Sequence, residues 1–279
     1  MAGSIGNSFA LVRASMNVLR LDRELLVFPL MSGVASVLVV ASFFIPMVLN
    51  GGFGLLEQGG LRYAGLAVTF LFYVVLYTVI FFFNSALVGA ALIRLEGGNP
   101  TVSDGLAIAS KRLASIVGFA VASATVGMIL RMISERGGTL ARIAAGVSGM
   151  GWTLATYLAV PVLVTKDVGP IDAVKESTAI FKRTWGEQVT GNFGLSWAMF
   201  AAILTWTGAT AAMLVLAGSA GSPVLLAWSF GLGVAGYVVL ALVGSALGGI
   251  YRAALYRYAM TGDTGYFDTS IMGNAFRPK

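Results

Sequence analysis

A short polar run, Trp185 to Gly194 (WGEQVTGNFG), leads directly into a long segment without charges. Its carboxylate, Glu187, and its two amides, Gln188 and Asn192, could bind a cation or a polar lipid headgroup, because carboxylates near a membrane core are costly and usually paired. The same residues could instead cap a helix and interact with its dipole, with neighbouring glycines allowing close helix packing. We favour the cap, and the binding site stays the alternative.

Two further polar residues lie within apolar segments and could contribute to an intramembrane site. Asn84 stands in FFFNSALVG, and Thr156 stands three residues after Thr153. Polar side chains at such depth usually bond across a helix interface, a contact of roughly 0.6 to 2 kcal/mol. A pore or carrier would need several of them to converge from different helices, and spacing along the chain does not show convergence.

The residue types that most enzymes and metal sites require are missing. The sequence has no Cys and no His, which excludes thiolate and imidazole metal ligands, cysteine nucleophiles and Ser-His-Asp triads. Glu187 and Asp172 are the remaining candidates for acid-base chemistry or Mg²⁺ binding, and enzymes that act on phosphates through metals usually present several clustered acidic residues. We therefore expect a protein that is not an enzyme and has no cofactor or metal site.

Basic residues recur at the ends of the apolar segments and could contact the phosphates of anionic lipids, at about 1 kcal/mol each near a charged membrane surface. The same residues could serve only to orient the protein in the membrane, without a specific ligand. Basic and aromatic residues do not interleave as in a nucleic-acid groove, so we expect no nucleic-acid partner. The candidate lipid contacts are Arg94, Lys111, Arg112, Lys182, Arg183, Arg252 and Arg257.

Composition predicts that membrane helices position all of these residues. Hydrophobic residues make up 57% of the chain and charged residues 11%, against roughly 45–50% and 25% in soluble domains. A bilayer core of about 30 Å needs roughly 20 apolar helical residues. The gaps between charges therefore predict an all-α, polytopic bundle of six transmembrane helices in one domain, residues 1–279. The predicted spans are about 25–50, 64–93, 113–131, 143–165, 188–217 and 224–251.

Each pair of spans is preceded by a segment with helical periodicity and enough polar residues to lie at the membrane surface. These segments are residues 4–21, 101–112 and 170–185, and Thr101 and Asp104 have the spacing of a capping box. The order of amphipathic helix, span, span, three times over, predicts a threefold internal repeat. The alternative is that interfacial helices simply connect the spans, as in many multi-span proteins.

The distribution of Lys and Arg predicts the orientation of the spans. Of the 18 such residues, only Arg62, Arg131, Arg136 and Arg142 fall on the side opposite the N-terminus. Because cytoplasmic loops carry the excess of Lys and Arg, we expect both termini in the cytoplasm and the protein in the cell (inner or plasma) membrane. No removable signal peptide is expected, since the N-terminus lacks a cleavage pattern after a short apolar core.

Three runs of the sequence carry a family resemblance: SFALVRASMNVLRLDRELLVFPLMSG, WTLATYLAVPVLVTKDVGPIDAVKESTAIFKRTWGEQVTGNFG and YRAALYRYAMTGDTGYFD. Together they resemble an uncharacterised family of prokaryotic multi-span membrane proteins, a domain of unknown function. The resemblance extends from about Ser8 to Phe267. It implies six spans and cytoplasmic helices, and it implies no substrate, cofactor or catalytic residue.

These observations favour a non-enzymatic integral membrane protein that organises lipids or a membrane partner complex through its amphipathic helices. The expected partners are membrane lipids, with a membrane protein or a second copy of the chain as a further partner. The alternative is a channel or carrier for a small or lipidic solute, motivated by Asn84, the glycine-rich sixth span and Pro161, which should kink or open the fourth span.

Overall fold

The structure is a computed structural model, and it describes residues 13–49, 62–185 and 194–263. Every regular element in these ranges is a helix, which confirms the all-α prediction. A 3₁₀ turn, Arg23–Leu26, precedes α2. The helices are α1 (residues 13–21), α2 (Val27–Leu49), α3 (Arg62–Leu95), α4 (Val102–Lys111), α5 (Leu113–Arg136), α6 (Thr139–Ala155), α7 (Ala159–Thr165), α8 (Pro170–Trp185), α9 (Gly194–Ser219) and α10 (Pro223–Thr261).

Six helical segments of the described chain are long and apolar enough to cross a membrane, which confirms the predicted number of spans. Large hydrophobic side chains on them point outward, such as Val37 at 68% exposure and Leu49 at 78%. Outward-facing apolar side chains on long helices are typical of a protein surrounded by lipid. The six segments are Arg23–Leu49, Tyr63–Leu95, Leu113–Glu135, Thr139–Thr165, Ala198–Ser219 and Pro223–Thr261.

The long helix α3 lies at the centre of the bundle and packs against α2, α4, α5, α7 and α10. The C-terminal end of α3, residues 85–95, is largely buried. It packs together with Leu25 and Phe28, with the α7 segment and with residues 246–256 of α10. We call this tightly packed region the compact end of the bundle. Close approach is required there: a Cβ on Gly105 of α4 would lie 2.5 Å from the Phe28 ring and 2.7 Å from the Ala86 carbonyl oxygen.

The fourth apolar segment is broken into α6 and α7. The turn between them ends at Leu158, whose N–H leaves the helical ladder and donates instead to the buried Ser177 Oγ of α8, at 3.0 Å. Pro161 lies in the first turn of α7, where its missing N–H would have no intrahelical partner in any case. The break therefore falls just before the proline, and the Ser177 hydroxyl of α8 replaces the helical hydrogen bond that Leu158 loses there.

The short helices α4 and α8 correspond to two of the three segments predicted to be amphipathic. The predicted capping box on α4 is confirmed, because Asp104 N–H donates to Thr101 Oγ1 (3.2 Å) and Thr101 N–H donates to Asp104 Oδ2 (2.9 Å). The hydrogen bonds that the Asp104 carboxylate accepts from the backbone N–H and the hydroxyl of Thr101 hold its pKa below the usual range. Residues 4–12 of the first segment lie outside the described residues, and the threefold repeat stays a prediction.

Candidate functional site

Three of the sequence-predicted polar residues, Glu187, Gln188 and Asn192, lie outside the described residues. Asn84 is half-buried on α3, beside the buried Ser85. Asn84 is not among the residues that line the cavity described below, whereas Thr156 is.

Two of the predicted lipid-contacting arginines hold the compact end together. The Arg94 guanidinium donates to the carbonyl oxygens of Gly98 (3.1 Å) and Leu21 (3.4 Å), which joins the ends of α1 and α3. The Arg257 guanidinium donates to the Leu95 carbonyl oxygen, and it also donates to Asp263 Oδ2 at 2.6 Å. Much of the hydrogen-bonding capacity of both side chains is thus used within the protein.

The other predicted contacts divide into tied and exposed side chains. Arg112 forms an ion pair with Asp167, and Arg183 donates to the carbonyl oxygen of Ala259 at 3.1 Å. Lys111 and Lys182 are exposed, and neither forms an ion pair with another described residue. Among the predicted lipid contacts, these two lysines are therefore the ones whose charged groups are not tied to another described residue by an ion pair or a hydrogen bond.

Arg252, the remaining predicted lipid contact, lines a cavity. Its Nε donates to the carbonyl oxygen of Gly248 at 3.1 Å, so the side chain runs toward the N-terminus of α10 and into the apolar part of the bundle. From Arg252 the helix continues to Thr261, about 13 Å further. The Arg252 side chain therefore extends away from the C-terminal end of α10.

The cavity has a volume of about 440 Å³ and lies between α3, α5, α6, α7 and α10. This volume is within the range of roughly 300–1,000 Å³ that small-molecule sites occupy. In this cavity, residues from both sides of the α6–α7 break lie near Arg252 of the sixth apolar segment. Its lining consists of Tyr77, Phe81, Phe119, Ser123, Val126, Gly127, Leu130, Trp152, Thr153, Thr156, Tyr157, Val160 and Arg252.

The polar groups of the cavity are mainly hydrogen-bond donors. Ser123 is only 7% exposed, and its Oγ has no hydrogen-bond partner among the described residues. The hydroxyls of Tyr77 and Tyr157 likewise have no protein partner within the described part, and they add two donors beside the Arg252 guanidinium. No Asp or Glu lines this cavity in the described chain. A donor-rich, positively charged site of this kind suits an anion.

The two threonines of the cavity offer acceptors only. Thr153 Oγ1 donates to the carbonyl oxygen of Gly149 (2.9 Å) and Thr156 Oγ1 to that of Trp152 (2.8 Å), so both hydroxyl protons are occupied within the helix. Their lone pairs could accept from a protonated phosphate or from a headgroup hydroxyl. Aromatic and aliphatic side chains form the rest of the lining, which suits an apolar portion of a ligand.

Helix α8 positions one wall of the cavity. Beside the hydrogen bond from Leu158 to Ser177, an ion pair between Lys166 and Glu176 joins the end of α7 to α8. The hydrogen bond to Glu176 raises the pKa of Lys166 above its ordinary value. The α6–α7 break is therefore fixed from outside the cavity.

Sequence reasoning named Tyr157 beside Thr156, placed Arg252 in a separate group and did not single out Ser123 or Tyr77. Apolar residues continue for several positions after Arg252, in RAALYRYAM. That continuation was the available signal that the charge lies within the helix and not at its end. No comparable signal exists for Ser123, whose small hydroxyl is common at ordinary helix contacts.

A model of a family of unknown function, DUF6159, matches residues 63–266, a range that includes every residue lining the cavity. Comparisons with curated proteins and with solved structures found no match. The match confirms the prediction of an uncharacterised family. The chain therefore belongs to the family of unknown function DUF6159.

Proposed function

We propose that this protein is a non-enzymatic integral membrane protein that binds membrane lipids and holds the anionic group of one lipid in the cavity beside Arg252. The observation that carries the proposal is the direction of Arg252, whose guanidinium enters a cavity and has no carboxylate partner among the described residues. A guanidinium removed from water into a protein cavity costs several kcal/mol unless it is paired. A bound anion offsets this cost, because arginine binds phosphates and carboxylates through paired, charge-assisted hydrogen bonds.

The test is retention of an anionic lipid by the purified protein. The protein is placed in phosphatidylcholine nanodiscs with a minor fraction of phosphatidylglycerol, and the lipids that stay bound are counted by native mass spectrometry. Removing one charged partner should weaken phosphatidylglycerol retention about 10- to 100-fold in Arg252→Gln, as expected for loss of a charged hydrogen bond worth about 1.5–3 kcal/mol. Equal retention by the wild type and Arg252→Gln would make the lipid contacts generic.

Two variants separate the site from the overall charge. Arg142→Gln removes an exposed arginine from α6 and should leave phosphatidylglycerol retention unchanged. The double variant Arg252→Gln with Met260→Arg restores the positive charge at an exposed position near the end of α10. If this relocated charge restores retention, net charge at the membrane surface explains binding and the cavity does not.

We further propose that the protein lies in the cell membrane with the compact end and both termini on the cytoplasmic side. In this orientation α4 and α8 lie at the membrane surface as amphipathic helices. The positive-inside distribution supports this orientation. Because the chain has no native Cys, single Cys substitutions report topology without background. Exposed Lys175 on α8 and Ser219 on α9 should label from opposite sides of the membrane. Labelling of both from one side would contradict the orientation.

A carrier for an anionic or lipidic solute is the second candidate function. The observation that favours it is the α6–α7 break, because broken membrane helices often form the substrate sites of transporters, and Thr156 and Tyr157 of this break line the cavity. Liposomes with the purified protein should then move a fluorescent phosphatidylglycerol between leaflets faster than empty liposomes do. The Arg252→Gln protein should lose that excess rate, and an equal rate in both preparations would exclude the carrier.

A further inference from the structure

A second, smaller cavity lies between α3 and α5, next to the cavity beside Arg252. The second cavity has a volume of about 210 Å³, and two of its lining residues, Tyr77 and Gly127, also line the first. The remaining lining is Tyr73, Ala124, Met128 and Arg131. The two cavities thus adjoin at the contact of α3 with α5, and we call the two together the α3–α5 groove.

The groove has the length of a lipid chain. At about 1.5 Å per residue, the stretch of α5 from Phe119 to Arg131 measures about 18 Å. Half of a hydrocarbon core of about 30 Å is a similar distance, and this is the depth that an acyl chain of one leaflet occupies. A chain attached to an anionic group at Arg252 could therefore extend along the whole groove.

The wall that α3 contributes is aromatic throughout. Tyr73, Tyr77 and Phe81 stand one helical turn apart, with ring centroids separated by 5.9 Å and 5.8 Å, and Phe81 lies 4.6 Å from Phe119. Aromatic faces provide apolar contact at low conformational cost. A hydrocarbon chain is the ligand portion that such a wall suits.

The far end of the groove is closed by groups that are already paired. Arg131 Nε donates to Glu135 (2.6 Å), and the Arg131 guanidinium also donates to the Tyr73 hydroxyl at 3.4 Å. These contacts leave Arg252, and not Arg131, as the position for the anionic group. They also limit how far a chain can extend.

Gly127 lies at the junction of the two cavities. A Cβ at this position would meet only the Tyr77 hydroxyl, at 3.8 Å, which is ordinary van der Waals contact. A methyl group therefore fits, whereas a leucine side chain would occupy the junction itself.

We propose that the α3–α5 groove binds one hydrocarbon chain of an anionic amphiphile, and that Gly127 determines the length of chain the site accepts. This inference rests on the proposed binding of the anionic group at Arg252. The ligand class is an alkyl or acyl chain that carries a phosphate or a carboxylate at one end.

The test compares phosphates of increasing chain length on the full-length protein in nanodiscs. Inorganic phosphate, butyl phosphate, dodecyl phosphate and hexadecyl phosphate are titrated, and binding is followed through the fluorescence of Trp152, which lines the first cavity. The wild type should bind dodecyl phosphate far more tightly than butyl phosphate, by up to about fourfold for each methylene that becomes buried. Gly127→Leu should reduce the affinity ratio of dodecyl to butyl phosphate at least about tenfold.

One control and three contrary outcomes complete the test. Gly146→Leu, at an exposed glycine of α6 with no atom near its Cβ position, should keep the wild-type chain-length ratio. Binding that depends on Arg252 but not on chain length, or a Gly127→Leu ratio equal to the wild type, overturns the groove and leaves the anion site standing. Binding of every phosphate equally well by wild type and Arg252→Gln overturns the proposed function and the groove with it.

Discussion

The crossing of α9 and α10 depends on the absence of a side chain at Gly236. The Trp206 indole of α9 donates its Nε1–H to the carbonyl oxygen of Gly233 at 3.0 Å. A Cβ at position 236 would lie 2.0 Å from Cε2 and 2.1 Å from Cζ2 of that indole. Carbon atoms pack at about 3.5–4.0 Å, so the ring would have to leave its position for any larger residue.

Gly236→Ala should therefore destabilise the protein although alanine is the better helix former. Overpacking costs about 1–3 kcal/mol, and displacement of the indole removes a hydrogen bond worth about 0.5–1.5 kcal/mol. Helix propensity favours alanine over glycine by about 1 kcal/mol. The net loss in the free energy of unfolding is then about 0.5–3.5 kcal/mol.

The matched control is Gly231→Ala on the same helix, because a Cβ at Gly231 would meet no atom within 4 Å. This variant should be neutral or more stable by up to about 1 kcal/mol. Unfolding is measured by titration with denaturing detergent, with tryptophan fluorescence as the signal. If both variants unfold at the same detergent fraction, the close contact between Trp206 and Gly236 does not contribute to the fold and the reasoning fails.

Three further predictions concern the compact end and its neighbourhood. Ser177→Ala leaves the Leu158 N–H without its partner and should cost about 1–3 kcal/mol in detergent unfolding, whereas alanine at the exposed Ser110 should be neutral. Burial raises the pKa of the Asp22 carboxyl. The contribution of this group to stability is therefore complete below the ordinary pKa of about 3.9, and it declines as pH rises through the higher pKa of the folded state. Asp22→Asn should lack that decline, and parallel curves of stability against pH for the two proteins, from pH 3 to about 8, would contradict the prediction. Gly105→Ala should separate α4 from α3 and lower stability by about 1–3 kcal/mol, visible as a lower unfolding midpoint.

The number and type of membrane helices could be predicted from charge spacing because the bilayer imposes a simple requirement. Every backbone amide in the hydrocarbon core must be paired within a helix, so apolar segments of sufficient length between charges become helices. Local rules worked for the same reason at Thr101 and Asp104, whose spacing alone is sufficient to form the capping box. Both predictions depend on neighbours in the sequence and on no distant contact.

The cavity could not be predicted because it depends on how each helix is rotated about its axis. Thr156, Ser123 and Arg252 lie on three different apolar segments, and they line one cavity only after the α6–α7 segment, α5 and α10 have packed. In segments that are apolar on every face, the sequence pattern does not indicate which side faces a neighbour. The hydrogen bond from Leu158 to Ser177 has the same origin, since its partners are contributed by a break and by a separate helix.

Two roles for the arginines of this protein can be distinguished by where their side chains extend. An arginine that only orients the chain in the membrane needs to reach the membrane surface, and its hydrogen bonds can go to water, lipid or nearby carbonyl groups. Arg94, Arg183 and Arg257 fit this role, since each donates to a backbone carbonyl group at the compact end.

Arg252 also donates to a carbonyl group, but it does so toward the interior of its own helix, and its guanidinium lines a space rich in further donors. An anion in the cavity could accept from the guanidinium and from the free hydroxyls around it together, since hydroxyls rotate to donate or to accept. The apolar groove that begins at the same point favours an anion that carries a hydrocarbon chain.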